Sequence, residues 1–383
     1  MNLISAIRAA SPAVLGFVAL GLMWGSISAL LPQFKAHLGV SDALFGVLLT
    51  AGSAGLLVTM WLAAPLDRLL RERSITASGI LVVLAALLTA IAPTPLWFFL
   101  CLLGLGFGSG LLDVLTNARL AERELKLSRP LMNASHGIYS LAYVLGAIAT
   151  GILRDIALAP ILILTVIGMA VVPIALAART QWTPPETAQT GRGPLPTRGI
   201  VILGLIVLIA FGLETITEAW SALHIERSLG GRPVEGALGP AFLGLSMAVG
   251  RFGGHLLAHR VPESGLMIGG AAMSALGLLL AAGAVSPGPA YMGFGLVGLG
   301  VSVLAPLALG LVGRIAPPDR RTDAVARVSA IGFAAYVLTP TLMGTLSEGF
   351  GLPAALGLVA LIAVPIPALV WGLRQSKTRP NPR

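Results

Sequence analysis

Two carboxylates, Glu214 and Glu218, stand four residues apart inside an apolar run that extends over 199–223. On a helix that spacing puts both on one face, a turn apart. An ionisable side chain in a membrane span costs at least ~2.5–3.5 kcal/mol, so each is a functional candidate by default. Two partly desolvated carboxylates this close favour sharing a proton. Such a site can take a proton up on one side of a membrane and release it on the other, with Glu214, nearer the middle of the run, the leading coupling residue. The alternatives are that Glu218 is simply hydrated near the end of the run, or that either acid pairs with a buried base.

A second polar cluster combines Asp113 and Asn117, again four apart, with Asn133 and His136 at the start of the next apolar run. Histidine titrates near neutral pH, so a proton relay from Asp113 to His136 is one reading. The other is a hydrogen-bonded latch between two helix ends, with Arg119 as counter-charge. Arg251 lies within another apolar run and has the planar fork that grips carboxylate or phosphate. Met132-x-x-x-His136 and His255-x-x-x-His259 have helical metal-ligand spacing, but no cysteine joins them, and no metal or other cofactor is expected. Cys101 stands alone and can form no intramolecular disulfide. The glycines of 104–110 read as close helix packing, because no strand precedes them and no Lys-Ser/Thr follows, as a phosphate loop requires.

The elements that must hold these residues follow from hydropathy. Hydrophobic residues make up 56% of the 383 and charged ones only 11%, whereas a soluble chain is about 25% charged. A span needs ~20 apolar residues, and twelve are found, near 11–33, 43–65, 75–93, 96–118, 131–153, 158–178, 199–223, 236–258, 265–286, 289–312, 325–347 and 353–373. The fold class is therefore an all-α membrane protein. Twelve spans leave no room for a soluble catalytic domain, and no nucleophile–base set suggests an enzyme. The net charge of +9 sits in the loops without a basic face or aromatic interleaving, which argues against nucleic acid.

Instead, the charges report topology. With the N-terminus in the cytoplasm, 20 of the 25 Lys and Arg residues fall on the cytoplasmic side. Lys35, Arg154, Arg227 and Arg232 fall on the other, where His224 and Glu226 also sit and solvation is the default. Both termini are then cytoplasmic, and the first run reads as an anchor rather than a cleaved signal. The Pro-, Thr- and Gly-rich stretch 181–198 divides a first half, 1–180, from a second, 199–383. The halves echo each other: 64–68 matches 256–260 at an offset of 192, and Leu103-Gly104-Leu105-Gly106 matches Val297-Gly298-Leu299-Gly300 at 194.

Six plus six helices, a middle linker, and the charged motif Asp67-Arg68 with Arg71 and Arg73 after the second span resemble the major facilitator superfamily. Within it, Leu112–Ala118, Pro130–Gly137, Glu214 with Trp220-Ser221-Ala222, and Gly250-Arg251 resemble the fucose–proton symporters and their uncharacterised inner-membrane relatives. Ala219 stands where that branch often has an acid, as does His255, and His259 replaces the motif's aspartate in the second half.

The resemblance implies a secondary transporter in which two six-helix bundles rock about a central site. Its substrate is expected to be a small polar solute taken up with protons. Export of amphipathic compounds, or a sensor that moves nothing, are the alternatives. It implies a cytoplasmic gate at Asp67, Arg68, Arg71 and Arg260, with Arg251 more a gate residue than a substrate anchor. If spans 1, 5, 7 and 11 line the pathway, then Trp24, Tyr139, Tyr143, Trp220 and Tyr336, with Asn117 and Asn133, contact substrate. The expected setting is the bacterial inner membrane, and the expected partners of this monomer are a small solute, protons and lipid.

Overall fold

The computed structural model describes residues 8–127, 131–180, 194–257, 260–317 and 320–378. Among them all regular structure is helical. In chain order the helices are α1 (Val14–Leu38), α2 (Asp42–Leu70), α3 (Ser74–Ala90), α4 (Pro95–Leu127), α5 (Met132–Asp155) and α6 (Pro160–Ala177), followed by α7 (Thr197–Leu223), α8 (Pro233–Leu257), α9 (Glu263–Ala282), α10 (Pro287–Ile315) and α11 (Arg321–Phe350). The last passage is α12 (Leu352–Val359) and α13 (Ile366–Thr378), joined by a 3₁₀ turn at Ala360–Ala363. Ten segments are long and apolar enough to cross a membrane. One of them, the 49-residue Asp42–Ala90, contains both α2 and α3, and α8 adds a further passage interrupted by Arg251. The described residues thus make twelve passes.

The breaks have local causes. Gly39 closes α1 in the left-handed conformation (φ 61°), and the Ser41 hydroxyl accepts the Leu44 N–H to start α2. Pro160 and Pro287 stand in first turns, where proline's missing donor costs nothing. Helix α10 therefore begins at Pro287, inside the expected gap between the spans 265–286 and 289–312. Helix α4 runs 33 residues, about 50 Å at the usual rise. It outlasts the expected span because its charged end, Arg119 to Lys126, stays helical beyond the apolar stretch.

Packing partners repeat between the halves. Helix α1 lies on α5, α2 on α4 and α3 on α4; six helices later, α7 lies on α11, α8 on α10 and α9 on α10. Between halves, α5 packs on α8 and α2 on α11. These two seams exchange under the same shift of six, as a pseudo-twofold pair requires. Residues 181–193 of the expected linker lie outside the described residues.

Close backbone approach holds α2 to α4. A Cβ on Gly106 would run into the backbone of Gly52, and the Thr59 hydroxyl donates across the same crossing to the Phe107 carbonyl at 3.0 Å. Lipid offers no hydrophobic drive for helix association, so such contacts carry the packing. Gly106→Val is expected to destabilise the fold by about 1–3 kcal/mol, read as a lower unfolding temperature in detergent; an unchanged midpoint would count against this crossing.

Candidate functional site

A cavity of about 460 Å³ lies between the halves, lined from α1, α2, α4 and α5 on one side and α7, α8 and α11 on the other. That volume is within the range of small-molecule sites. Glu214 and Glu218 both face it from α7, as their spacing requires. Glu214 stands 4.0 Å from the Arg251 guanidinium, which also donates to the Ser140 hydroxyl at 3.1 Å. Glu218 has no base at salt-bridge distance among the described residues. Instead the Ser28 and Tyr143 hydroxyls approach its carboxyl group, although the Tyr143 hydroxyl completes no hydrogen bond of ordinary geometry. Asp113 and His136 line the same cavity. Three carboxyl groups thus share it with one guanidinium.

Arg251 therefore departs from the expected gate position. Helix α8 packs along α5, and that crossing turns Arg251 toward Ser140 and the cavity. Arg119 likewise is not the counter-charge of Asp113; it pairs with Asp67 at 2.7 Å and with Glu122 at 3.6 Å, nearer the helix ends. Asn117 does not reach the cavity lining and donates to the Asp113 backbone carbonyl at 3.0 Å. No hydrogen bond joins Asp113 to His136 among the described residues; the His136 ring instead lies 4.6 Å from Phe17, centroid to centroid. The side chains of Asn133 and His255, and all of His259, lie outside the described residues.

Among the expected aromatics, Trp24, Tyr139 and Tyr336 line the cavity. Tyr143 is buried behind Tyr139, with ring centroids 6.3 Å apart. Trp220 does not reach it: its side chain is fully buried in the helix core, edge-on to Phe45 at 6.2 Å. Phe211 and Phe333, absent from the expected set, stack with Tyr336 at 5.2 and 5.8 Å. Phe211 sits three residues before Glu214, so the i,i+3 relation on α7 was the available signal.

The charged motif sits where α2 meets α3. Arg68, Arg71 and Arg73 are exposed there, and Arg260 is exposed at the same face. Ion pairs on this arginine-rich face, Arg119–Asp67, Arg314–Glu263 and Arg327–Asp323, each stay within one half. The opposite face is different. Arg154 on α5 forms a bidentate pair with Glu226 at 2.6 and 2.9 Å and donates to the Ala29 carbonyl at 2.7 Å. Glu226 is aimed by a π-turn, His224–Ser228, that continues α7. Asp42 receives Lys35 at 2.8 Å, Arg227 at 2.6 Å and the Ser347 hydroxyl at 2.5 Å. The Glu348 carboxylate accepts the Asp42 and Ala43 N–H groups at the start of α2, where the helix dipole favours an anion. Arg232 reaches Asp155 at 3.3 Å. Apart from Arg154–Ala29 and Lys35–Asp42, these contacts cross between halves. Hydration at this mouth was the expectation for Glu226 and His224; instead Glu226 is paired, and His224 is fully buried, its Nε2 2.9 Å from the Ala281 carbonyl.

The Major Facilitator Superfamily model matches residues 13–294 and 202–383. An uncharacterised MFS-type transporter of Yersinia pestis is 27% identical over 360 residues, covering 92% of this chain and 93% of that protein. The membrane protein MosC of Rhizobium meliloti is 24% identical over 372 residues, covering 94% and 89%. Among solved structures, a D-xylose–proton symporter superposes with a TM-score of 0.78 at 15% identity, covering 97% of this chain and 98% of that one.

The Arg154–Glu226 pair is largely desolvated, and removing one partner of such a pair costs about 3–5 kcal/mol. Arg154→Gln is expected to loosen the seam at that face. With Cys101→Ser as background and spin labels at His37→Cys and Val285→Cys, one per half, the distance distribution should shift to longer values; an unmoved distribution would refute the clasp.

Proposed function

The chain belongs to the Major Facilitator Superfamily, and from that premise we propose that it is a proton-coupled carrier of a small solute, working by alternating access about the central cavity. The observation that carries this is the pair of carboxyl groups on α7, one facing a guanidinium and the other facing only hydroxyls within a closed seam. Glu214 and Arg251 balance each other. Glu218 lacks such a partner and is half-buried, and an unpaired charge withdrawn from water is costly, so a proton or a cationic group would stabilise it. This makes Glu218 the coupling group and Glu214 with Arg251 the pair that responds to what enters the cavity. Asp113 and His136 stand farther toward the arginine-rich face, on the route a proton would take.

The excess of Lys and Arg supports that face as cytoplasmic. With the clasp on the opposite face engaged, the state described is inward-facing. Residues 1–180 and 199–383 would then rock as two units joined by 181–198, with Asp67, Arg68, Arg71 and Arg260 closing the inner side in the other state. Expected setting and assembly are a monomer in a bacterial inner membrane. The segments 112–118 and 130–137 support a place near the fucose–proton symporter-related carriers. The cavity lining does not extend that likeness to a sugar, because no Asn or Gln side chain contributes to it among the described residues. An apolar, aromatic lining favours the second reading, proton-driven export of an amphipathic compound, over sugar uptake.

The test is flux in proteoliposomes holding a trapped pH dye, challenged with a panel of sugars, organic acids, nucleosides and lipophilic cations. At least one solute should move protons through the wild type. Glu218→Gln should abolish proton movement while solute exchange persists, and Glu214→Gln should slow both by weakening the pair with Arg251. If no solute moves and none raises the unfolding temperature, the carrier reading fails; coupled flux surviving in Glu218→Gln would remove Glu218 from it.

A further inference from the structure

We propose that the cavity selects an organic cation bearing an aromatic or other apolar ring, held by Glu218 against the stacked wall of Phe211, Phe333 and Tyr336. The proposal rests on the carrier reading only for the statement that the bound solute is then moved.

Charge is the first argument. Asp113, Glu214 and Glu218 line the cavity against Arg251 alone. The guanidinium faces Glu214 at 4.0 Å and gives one hydrogen bond to Ser140. An anionic solute would meet three carboxyl groups and a single guanidinium that already faces one of them. A fixed positive charge would instead restore neutrality at Glu218. His136, the remaining titratable group on the lining, lies against Phe17 on the far wall and faces Arg251 rather than Glu218.

The walls are the second argument. Phe211, Phe333 and Tyr336 stack in one plane family, with centroids 5.2 to 5.8 Å apart and interplanar angles of 12 to 30°. Phe211 is one turn from Glu214, and Tyr336 lies within electrostatic reach of Glu214 and Glu218. Trp24 and Tyr139 face them from the other half. Ring faces attract cations most strongly where water is excluded, and flat rings accept an apolar moiety by stacking. Of the lining hydroxyls, Ser53 spends its own on the Tyr336 carbonyl at 2.5 Å.

Because proton and cation would neutralise the same carboxyl group, they should exclude each other. That outcome favours exchange of one for the other.

Calorimetry on the purified full-length protein in detergent tests this with three probes of similar shape. They are benzyltrimethylammonium, whose charge is independent of pH, the neutral alcohol 2-methyl-1-phenylpropan-2-ol, and the anion phenylacetate. The cation should bind, and at least roughly tenfold more tightly than either analogue. Its affinity should fall as pH is lowered, since protons displace it. Glu218→Gln should weaken binding by roughly tenfold and flatten that pH dependence, and Phe333→Leu should weaken it several-fold while preserving the dependence. Should Glu218→Gln fail to fold, Glu218→Asp, which keeps the charge, should retain the pH dependence. Equal binding of the alcohol or of phenylacetate, or wild-type affinity in Glu218→Gln, would overturn the proposal. Cation binding without flux in proteoliposomes would spare this ligand class and reject the carrier; flux of a neutral or anionic solute without cation binding would do the reverse.

Discussion

The constraint on which this molecule depends is that hydrocarbon cannot solvate charge. Each ionisable side chain in the passes must reach a face, a partner or an aqueous cavity. Lys35, Arg154, Arg227 and Arg232 reach the sparsely charged face and are all paired there. Glu214 and Arg251 reach the cavity and each other. Once those destinations are assigned, the helix crossings that serve them follow: α5 against α8 brings Arg251 inward, and the π-turn after α7 turns Glu226 onto Arg154. Close glycine contacts such as Gly106 on Gly52 keep each half stiff enough for these placements to persist.

Much of the fold could be read from the chain. Apolar runs located every pass, because the hydrocarbon thickness sets their length directly. Helix ends were less legible. The charged end of α4 remains helical outside the apolar zone, where hydropathy gives no signal. Of the residues lining the cavity, Glu214, Glu218, Asp113 and His136 were named from depth and residue type, and Trp24, Tyr139 and Tyr336 from the spans that the resemblance implies line the pathway. Depth alone could not tell which way a side chain points. Arg251 has one depth in both the gate and the cavity reading, and the crossing of α8 with α5 is what turns it toward the cavity. Trp220 is at cavity depth too, but lies on the side of α7 that packs into the core.

Pairings between distant segments were the least visible. Arg154 and Glu226 are 72 positions apart, and nothing local to either announces the other. The charge split did mark them indirectly. A basic residue on the face that is generally poor in them must have a specific reason to be there, and for all four such residues the reason is an acid: Asp42, Asp155 or Glu226. Exceptions to a topological rule were thus more informative than its many confirmations.

The aromatic cluster of Phe211, Phe333 and Tyr336 belongs wholly to the second half, whereas Trp24 and Tyr139 belong to the first. If the halves part as the proposed mechanism requires, a guest lying between them is gripped by two separating bodies. Its residence is therefore tied to the geometry of their separation, like a wedge that holds only while both jaws stay near. On that reading, a ligand that spans both walls well would slow turnover, and good cargo would be cargo that grips one jaw more firmly than the other.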